Sequence, residues 1–264
     1  MNRQAVMFAL PGTSSEEGME TLRRIDERFA ARFGGVMRTW AYTSSGVRRK
    51  LEQSSQHIAD PAEALTGLWN EGVTHVAVKS LHLATGMEYN ELRGFVDDRR
   101  TGMEVFDKVL LSTPLLDVPA DLERTIRCLL ASLPPETGPG EAVLLVTHGS
   151  RQPGAQVAYE RALELCRRFE RRVILGSLIS KPGVDDVIRE CKAGGIRKVV
   201  LVPLMIVAGF SARNEIAGNG PESWESALRR EGIDCEPVLK GLADHDDVVA
   251  LWLDDVERML SELS

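Results

Sequence analysis

With 264 residues, 32 Lys and Arg against 39 Asp and Glu, and a net charge of −7, the chain is long enough for one large or two medium domains and carries the wrong sign for a nucleic-acid groove or a polybasic membrane patch. Cys128, Cys166, Cys191 and Cys235 stand far apart with no C-x-x-C pair, which argues against both a disulfide framework and a structural zinc site. No apolar run reaches membrane-spanning length and no secretory signal opens the chain, so a cytoplasmic protein without membrane or nucleic-acid partners is expected.

Residues 5–10 are all apolar, the pattern of a parallel strand buried on both faces. Pro11-Gly12-Thr13-Ser14 turns this strand into a helix expected to run to about Phe33, with Ser14 or Ser15 as N-cap and Glu16 and Glu17 where the helix dipole favours acids. A second strand follows over 36–42, and Thr43-Ser44-Ser45-Gly46 leads into a basic helix start at Arg48, Arg49 and Lys50. A helix is expected over 61–70, a third strand over 73–81, a fourth over 105–111 and a helix over 119–133. Prolines and glycines then make 134–140 a linker.

After the linker the aliphatic run 142–146 reads as another doubly buried strand, and Thr147-His148-Gly149-Ser150 ends it in a sharp turn before helix formers over 156–169. His148 therefore sits at a strand's carboxyl end, the edge where open α/β sheets bind ligands; an imidazole there either ligates a metal, moves a proton or caps the turn. The second half repeats the plan of the first. One constant offset pairs Gly12 with Gly149, Gly46 with Gly183 and Val47 with Val184, and a second pairs Gly72 with Gly195, Gly86 with Gly209 and Glu88 with Ser211. The fold class expected is α/β: two parallel-sheet domains related by internal duplication, an N-terminal lobe over 1–135 and a C-terminal lobe over 136–264 that carries His148. Neither G-x-G-x-x-G nor G-x-x-x-x-G-K-[ST] occurs, so no nucleotide cofactor is expected.

Pro11-Gly12-Thr13-Ser14, the run from Ala41 to Leu51, Ser80-Leu81-His82 with Gly86, Glu88 and Tyr89, His148-Gly149, and Pro203-Leu204-Met205-Ile206-Val207-Ala208-Gly209 followed by Asn214 form one ordered set of motifs. Together they resemble the anaerobic cobaltochelatases, class II chelatases that insert cobalt(II) into sirohydrochlorin or precorrin-2 on the anaerobic route to cobalamin. The motifs run along nearly the whole chain. The resemblance implies a bilobal chelatase fold with the tetrapyrrole in a cleft between the lobes, Co2+ as substrate metal and an ATP-independent lyase. A homo-oligomer is compatible with it.

Inserting a divalent metal into a macrocycle requires a borderline ligand to deliver the ion and a base for two pyrrole protons. Neutral imidazole supplies both near pH 7. By the resemblance, His148 is metal ligand and base. Glu88 is a cleft-facing acid, or by position alone a first-turn helix acid. Thr13, Ser14, Ser44, Arg48, His82, Phe210 and Ser211 are expected to hold the macrocycle, with hydroxyl and basic groups receiving its carboxylates and apolar groups covering its face. Arg49 and Lys181 are further partners for those carboxylates, and His82 reads equally as a hydrogen-bonded structural histidine.

Two positions depart from the family pattern. Where it has Asp-His after Val-Ala-Gly, this chain has Phe210-Ser211, and where it has a glutamate three residues before a proline, this chain has Ile179 before Pro182. Isoleucine cannot bind a metal, and a serine hydroxyl is a poor replacement for imidazole. Two readings follow: a cobaltochelatase with an altered metal site, or a non-catalytic tetrapyrrole carrier in which His148 is an axial ligand to a preformed ring such as haem.

Overall fold

The computed structural model describes residues 3–97, 105–135 and 138–264. The first half contains β1 (Gln4–Leu10), α1 (Glu16–Arg32), β2 (Met37–Tyr42), α2 (Ser45–Glu52), α3 (Pro61–Asn70), β3 (His75–Ser80), α4 (Met87–Asp97), β4 (Lys108–Leu111) and α5 (Pro119–Ala131). The second contains β5 (Glu141–Thr147), α6 (Pro153–Cys166), β6 (Val173–Ser177), α7 (Val184–Ala193), β7 (Lys198–Pro203), a π-helical turn (Ser211–Ile216), α8 (Trp224–Arg230), β8 (Asp234–Pro237) and α9 (Asp246–Leu263). Residues 136 and 137 of the expected linker lie outside the described residues.

Local chemistry sets the helix starts. Ser15, not Ser14, caps α1: its hydroxyl accepts the Gly18 N–H, one of the donors a first turn leaves without an intrahelical partner. Asp60 and Glu63 form a reciprocal capping box around Pro61, the first residue of α3. The α6 helix begins at Pro153, earlier than the expected 156, because proline's fixed φ suits the first helical position. The β4 strand is shorter than expected: it pairs only with β3, whose first residue, His75, sits opposite Lys108.

All strand pairs are parallel, and the two four-stranded sheets have equivalent orders, β2-β1-β3-β4 and β6-β5-β7-β8. This is the two-sheet α/β architecture expected of the duplication. The matched glycines share backbone conformation as well as register: Gly12 and Gly149 have φ of 103° and 84°. Left-handed values of this kind exclude most side chains, so both halves turn after the central strand in the same way.

The central strands are apolar on both faces. Ala5, Met7 and Ala9 of β1 join Ala64, Leu65 and Leu68 of α3 and Leu92 of α4. Phe8, pointing to the other face, stacks on Trp40 and meets Phe29 of α1 edge-on. In the second sheet Ala142, Leu144 and Val146 of β5 pack with Val187 and Cys191 of α7 and Trp224 and Leu228 of α8.

By packing, the chain forms two compact units, one comprising the chain up to Val118 together with Val249–Ser264 and the other Pro119–Val248. The division at 135/136 follows the repeat of the sheets, whereas packing places α5 in the second unit and α9 in the first. In the second unit the Arg127 guanidinium of α5 lies 5.1 Å from the ring centroid of Phe169. In the first, Asp255 of α9 pairs with Lys79 of β3 at 2.6 Å, and Arg32 of α1 reaches Asp254 at 2.8 Å.

Candidate functional site

In each sheet the connections leave the two central strands in opposite directions, so a crevice opens outside the carboxyl ends of β1 and β3 in the first unit and of β5 and β7 in the second. Every site residue named from the sequence lies on one of these two edges or in the helix that starts there.

On the second unit's edge, His148 is the first residue after β5 and its side chain is exposed. Its backbone is held from the neighbouring strand, because the Leu178 N–H donates to the Thr147 carbonyl at 3.0 Å and the Ile179 N–H to the His148 carbonyl at 3.2 Å. Among the described residues the imidazole itself has no polar partner, which leaves a ring nitrogen's lone pair available to a metal or a proton. Ile179 and Phe210 on the same edge are 41% and 62% exposed. Ser211, half-buried, opens the π-helical turn after β7, and Lys181 pairs with Asp186 at 2.7 Å. A cavity of about 310 Å³ lies beside this edge, lined by Gln156, Tyr159, Glu160 and Leu163 of α6 with Lys181, Pro182 and Asp186.

Gly149 closes the turn with its left-handed backbone, and a Cβ there would come within 1.9 Å of Ser177 Oγ and 2.7 Å of Ser180 Oγ. Both strain and overlap oppose any side chain. Gly149→Ala is expected to destabilise the protein by roughly 1–3 kcal/mol in urea melts. A change below the error of the melt would mean that this turn relaxes freely.

On the first unit's edge the polar groups are mostly engaged. Thr13 is buried, with its Oγ1 3.1 Å from Ser15 Oγ and accepting the Ser15 N–H at 3.2 Å. Arg48 donates to the Tyr42 carbonyl and lies 3.9 Å from the Asp60 carboxylate. Ser44 caps α2 without a side-chain bond to its first turn, and Ser14 is half-buried. Glu88 is half-buried in the first turn of α4, next to the buried Tyr89.

His82 is 5% exposed, with Nε2 2.9 Å from Thr43 Oγ1 and Nδ1 2.9 Å from Ser80 Oγ. The Ser80 N–H donates to Ser112 Oγ at 2.9 Å, the Tyr89 hydroxyl donates to the Ser112 carbonyl at 3.2 Å, and the Tyr89 ring meets His82 edge-on. The reading of His82 as a hydrogen-bonded structural histidine thus has a geometry: one imidazole ties together the ends of β2 and β3. Sequence reasoning missed the rest of the network. Its signal was a hydroxyl residue at each of three successive strand ends, Thr43, Ser80 and Ser112.

Burial pushes the His82 pKa down to about 4, and burial also lowers that of His245. Because the folded state then binds fewer protons than the unfolded one, stability is complete above the ordinary histidine range near 6.5 and falls as pH drops toward the lowered value. Urea melts between about pH 7 and pH 4 are expected to lose up to about 3 kcal/mol from His82 alone. His82→Gln should flatten that slope, and an unchanged slope would remove the attribution.

Among the described residues no three His, Cys, Asp or Glu side chains gather as a metal-binding group, and no helix is long and apolar enough to cross a membrane.

Residues 4–261 match the model of a family described as cobalt chelatase (CbiK). The chain is 38% identical to the sirohydrochlorin cobaltochelatase CbiKC of Nitratidesulfovibrio vulgaris over 263 residues, 100% of this chain and 93% of that one. It is 31% identical over 223 residues to the sirohydrochlorin cobaltochelatase of Salmonella typhimurium, covering 84% of this chain and 82% of that one. Its fold is similar to that of the sirohydrochlorin chelatase SirB from Bacillus subtilis subspecies spizizenii in complex with cobalt, with a TM-score of 0.64 at 14% identity over 97% of this chain and 95% of that one.

Proposed function

We propose, because this chain belongs to the cobalt chelatase (CbiK) family, that it is a sirohydrochlorin cobaltochelatase: an enzyme that inserts Co2+ into the tetrapyrrole on the anaerobic route to cobalamin, in the cytoplasm and without ATP. The observation that carries the chemistry is His148, an exposed imidazole without a polar partner among the described residues, on a fixed backbone at the carboxyl end of a central strand. Incoming Co2+ exchanges a water for a His148 ring nitrogen, and the macrocycle's nitrogens then displace the imidazole from the metal. The two pyrrole N–H protons leave as the Co–N bonds form, one to the released imidazole and the other to solvent water. A single imidazole suits this transfer, because an ion gripped by several strong ligands would not be released to the ring.

The test is multiple turnover. Nucleotide-free protein supplied with Co2+ is expected to convert many equivalents of sirohydrochlorin per chain; a requirement for ATP, or conversion that stops at one equivalent, would sink the proposal. The altered ligand positions allow a second measurement. Ser211 lies on the strand edge next to that of His148, so Ser211→His is expected to raise Co2+ affinity at least about tenfold by adding a second imidazole. Unchanged affinity would mean that position 211 lies out of reach of the metal.

The exposed Ile179 and Phe210 favour one other reading, a carrier that covers the face of a flat ring such as haem and uses His148 as axial ligand. A haem absorbance shift that vanishes in His148→Ala, from a protein that does not insert Co2+, would select it.

A further inference from the structure

His148 lies between two residues that one hydroxyl connects. The Gly149 N–H donates to Thr147 Oγ1 at 3.3 Å, and the Thr147 hydroxyl donates to the Tyr159 oxygen at 3.2 Å. Thr147 is 1% exposed at the end of β5, and Tyr159 is 7% exposed in α6. The Thr147 side chain therefore spans the histidine, bonding the amide of the residue after it while anchored to the helix that follows. From the other side, Ser177 and Ser180, whose hydroxyls are 2.7 Å apart, fill the space that a side chain on Gly149 would need.

This arrangement fixes the direction in which the imidazole leaves the backbone. The Leu178 N–H holds the carbonyl of Thr147 and the Ile179 N–H that of His148, so each peptide group flanking His148 is bonded to the neighbouring segment. The His148 carbonyl and the Gly149 N–H belong to one planar peptide group, which is therefore held at both ends, by the Ile179 N–H and by Thr147 Oγ1, and Thr147 is the side chain in that pair of restraints. A buried hydroxyl is costly without a partner, which gives the buried Tyr159 its place in the chain.

We propose that Thr147, anchored by Tyr159, is the positioning residue for His148, holding the β5–α6 turn so that the imidazole meets the metal in one orientation. The inference rests on the chelatase reading for its kinetic consequence, but its geometric content concerns the histidine alone. A misaligned ligand slows transfer of the metal without loosening the macrocycle, so the loss falls on kcat.

The experiment compares Thr147→Val, Thr147→Ser and Tyr159→Phe in Co2+ insertion, and follows the His148 ring in carbon–proton NMR, where its signal among five histidines is identified by its loss in His148→Ala. Thr147→Val is expected to lower kcat about tenfold with the KM for sirohydrochlorin within about twofold, and Thr147→Ser, which keeps the hydroxyl, to recover most of the rate. Tyr159→Phe should cost about threefold alone and nothing further beside Thr147→Val. Wild-type kcat in Thr147→Val or Tyr159→Phe, a loss carried by KM, or a serine variant as slow as the valine one would overturn the proposal. Should Thr147→Val not fold, Tyr159→Phe and Thr147→Ser decide by the same measures. A wild type that folds but does not insert Co2+ removes the chelatase reading and leaves the NMR to decide: a shifted or broadened His148 signal in Tyr159→Phe upholds the positioning role, and an unmoved signal removes it.

Discussion

Replacing His148 by alanine is expected to lower kcat for Co2+ insertion at least about a hundredfold, because in the proposed reaction its imidazole is both the metal's entry ligand and a proton acceptor. Stability should hardly change: the side chain is exposed and makes no polar contact among the described residues, and substitutions of that kind usually stay within about 0.5 kcal/mol. This combination, activity lost in a protein that melts like the wild type, separates a chemical role from a structural one. Gly149→Ala, at the next residue of the same backbone, should instead shift the melt. Retention of wild-type turnover in His148→Ala would move the chemistry to a different group on the sheet edge.

The largest expected effect on stability lies in the other unit, the first. The Lys79 side chain is 8% exposed near the carboxyl end of the buried strand β3, and its ammonium is 2.6 Å from the Asp255 carboxylate of α9. Removing the carboxylate leaves that ammonium buried without its counter-charge. Asp255→Ala is therefore expected to cost about 3–5 kcal/mol, whereas Lys79→Met combined with Asp255→Leu, which removes both charges and keeps the volume, should be near neutral or better. Urea melts of the three proteins measure this, and a loss under about 1 kcal/mol in Asp255→Ala would show that Lys79 finds water or another partner.

The Asp255 carboxyl also sets a pH dependence. Burial acts to raise its pKa, but the charges and hydrogen bonds of Lys79 and Arg258 outweigh it, so the folded value lies below the ordinary aspartate range. The stabilisation is therefore present above that range and is lost as pH falls through the lowered value. This acid loss overlaps the low end of the histidine window and extends it downward.

How far the fold was legible follows from which interactions are local. The central strands announce themselves as unbroken apolar runs, and the paired glycines as turns, because Gly12 and Gly149 hold conformations that few other residues tolerate. From these the two sheets, their common topology and the place of His148 follow. The positions of α5 and α9 do not. An amphipathic helix shows that one of its faces is buried and carries no label for the sheet that buries it, so α9, at the far end of the sequence, gives no local sign that its Asp255 meets Lys79.

The candidate site divides in the same way. The strand end that carries His148 is readable from the apolar run that precedes it. Arg48 looked like a group for substrate carboxylates, yet its guanidinium reaches the Tyr42 carbonyl, and His82 is bonded at both nitrogens. A side chain's charge is written in the sequence. Whether that charge is already engaged depends on neighbours that only the folded chain brings near.

The account turns on the initial rate of Co2+ insertion into sirohydrochlorin, followed by the macrocycle's absorbance with folded, nucleotide-free protein and with a protein-free control. The expected rate rises in proportion to protein concentration and stands well above the control. Equal rates in the two solutions would contradict the account.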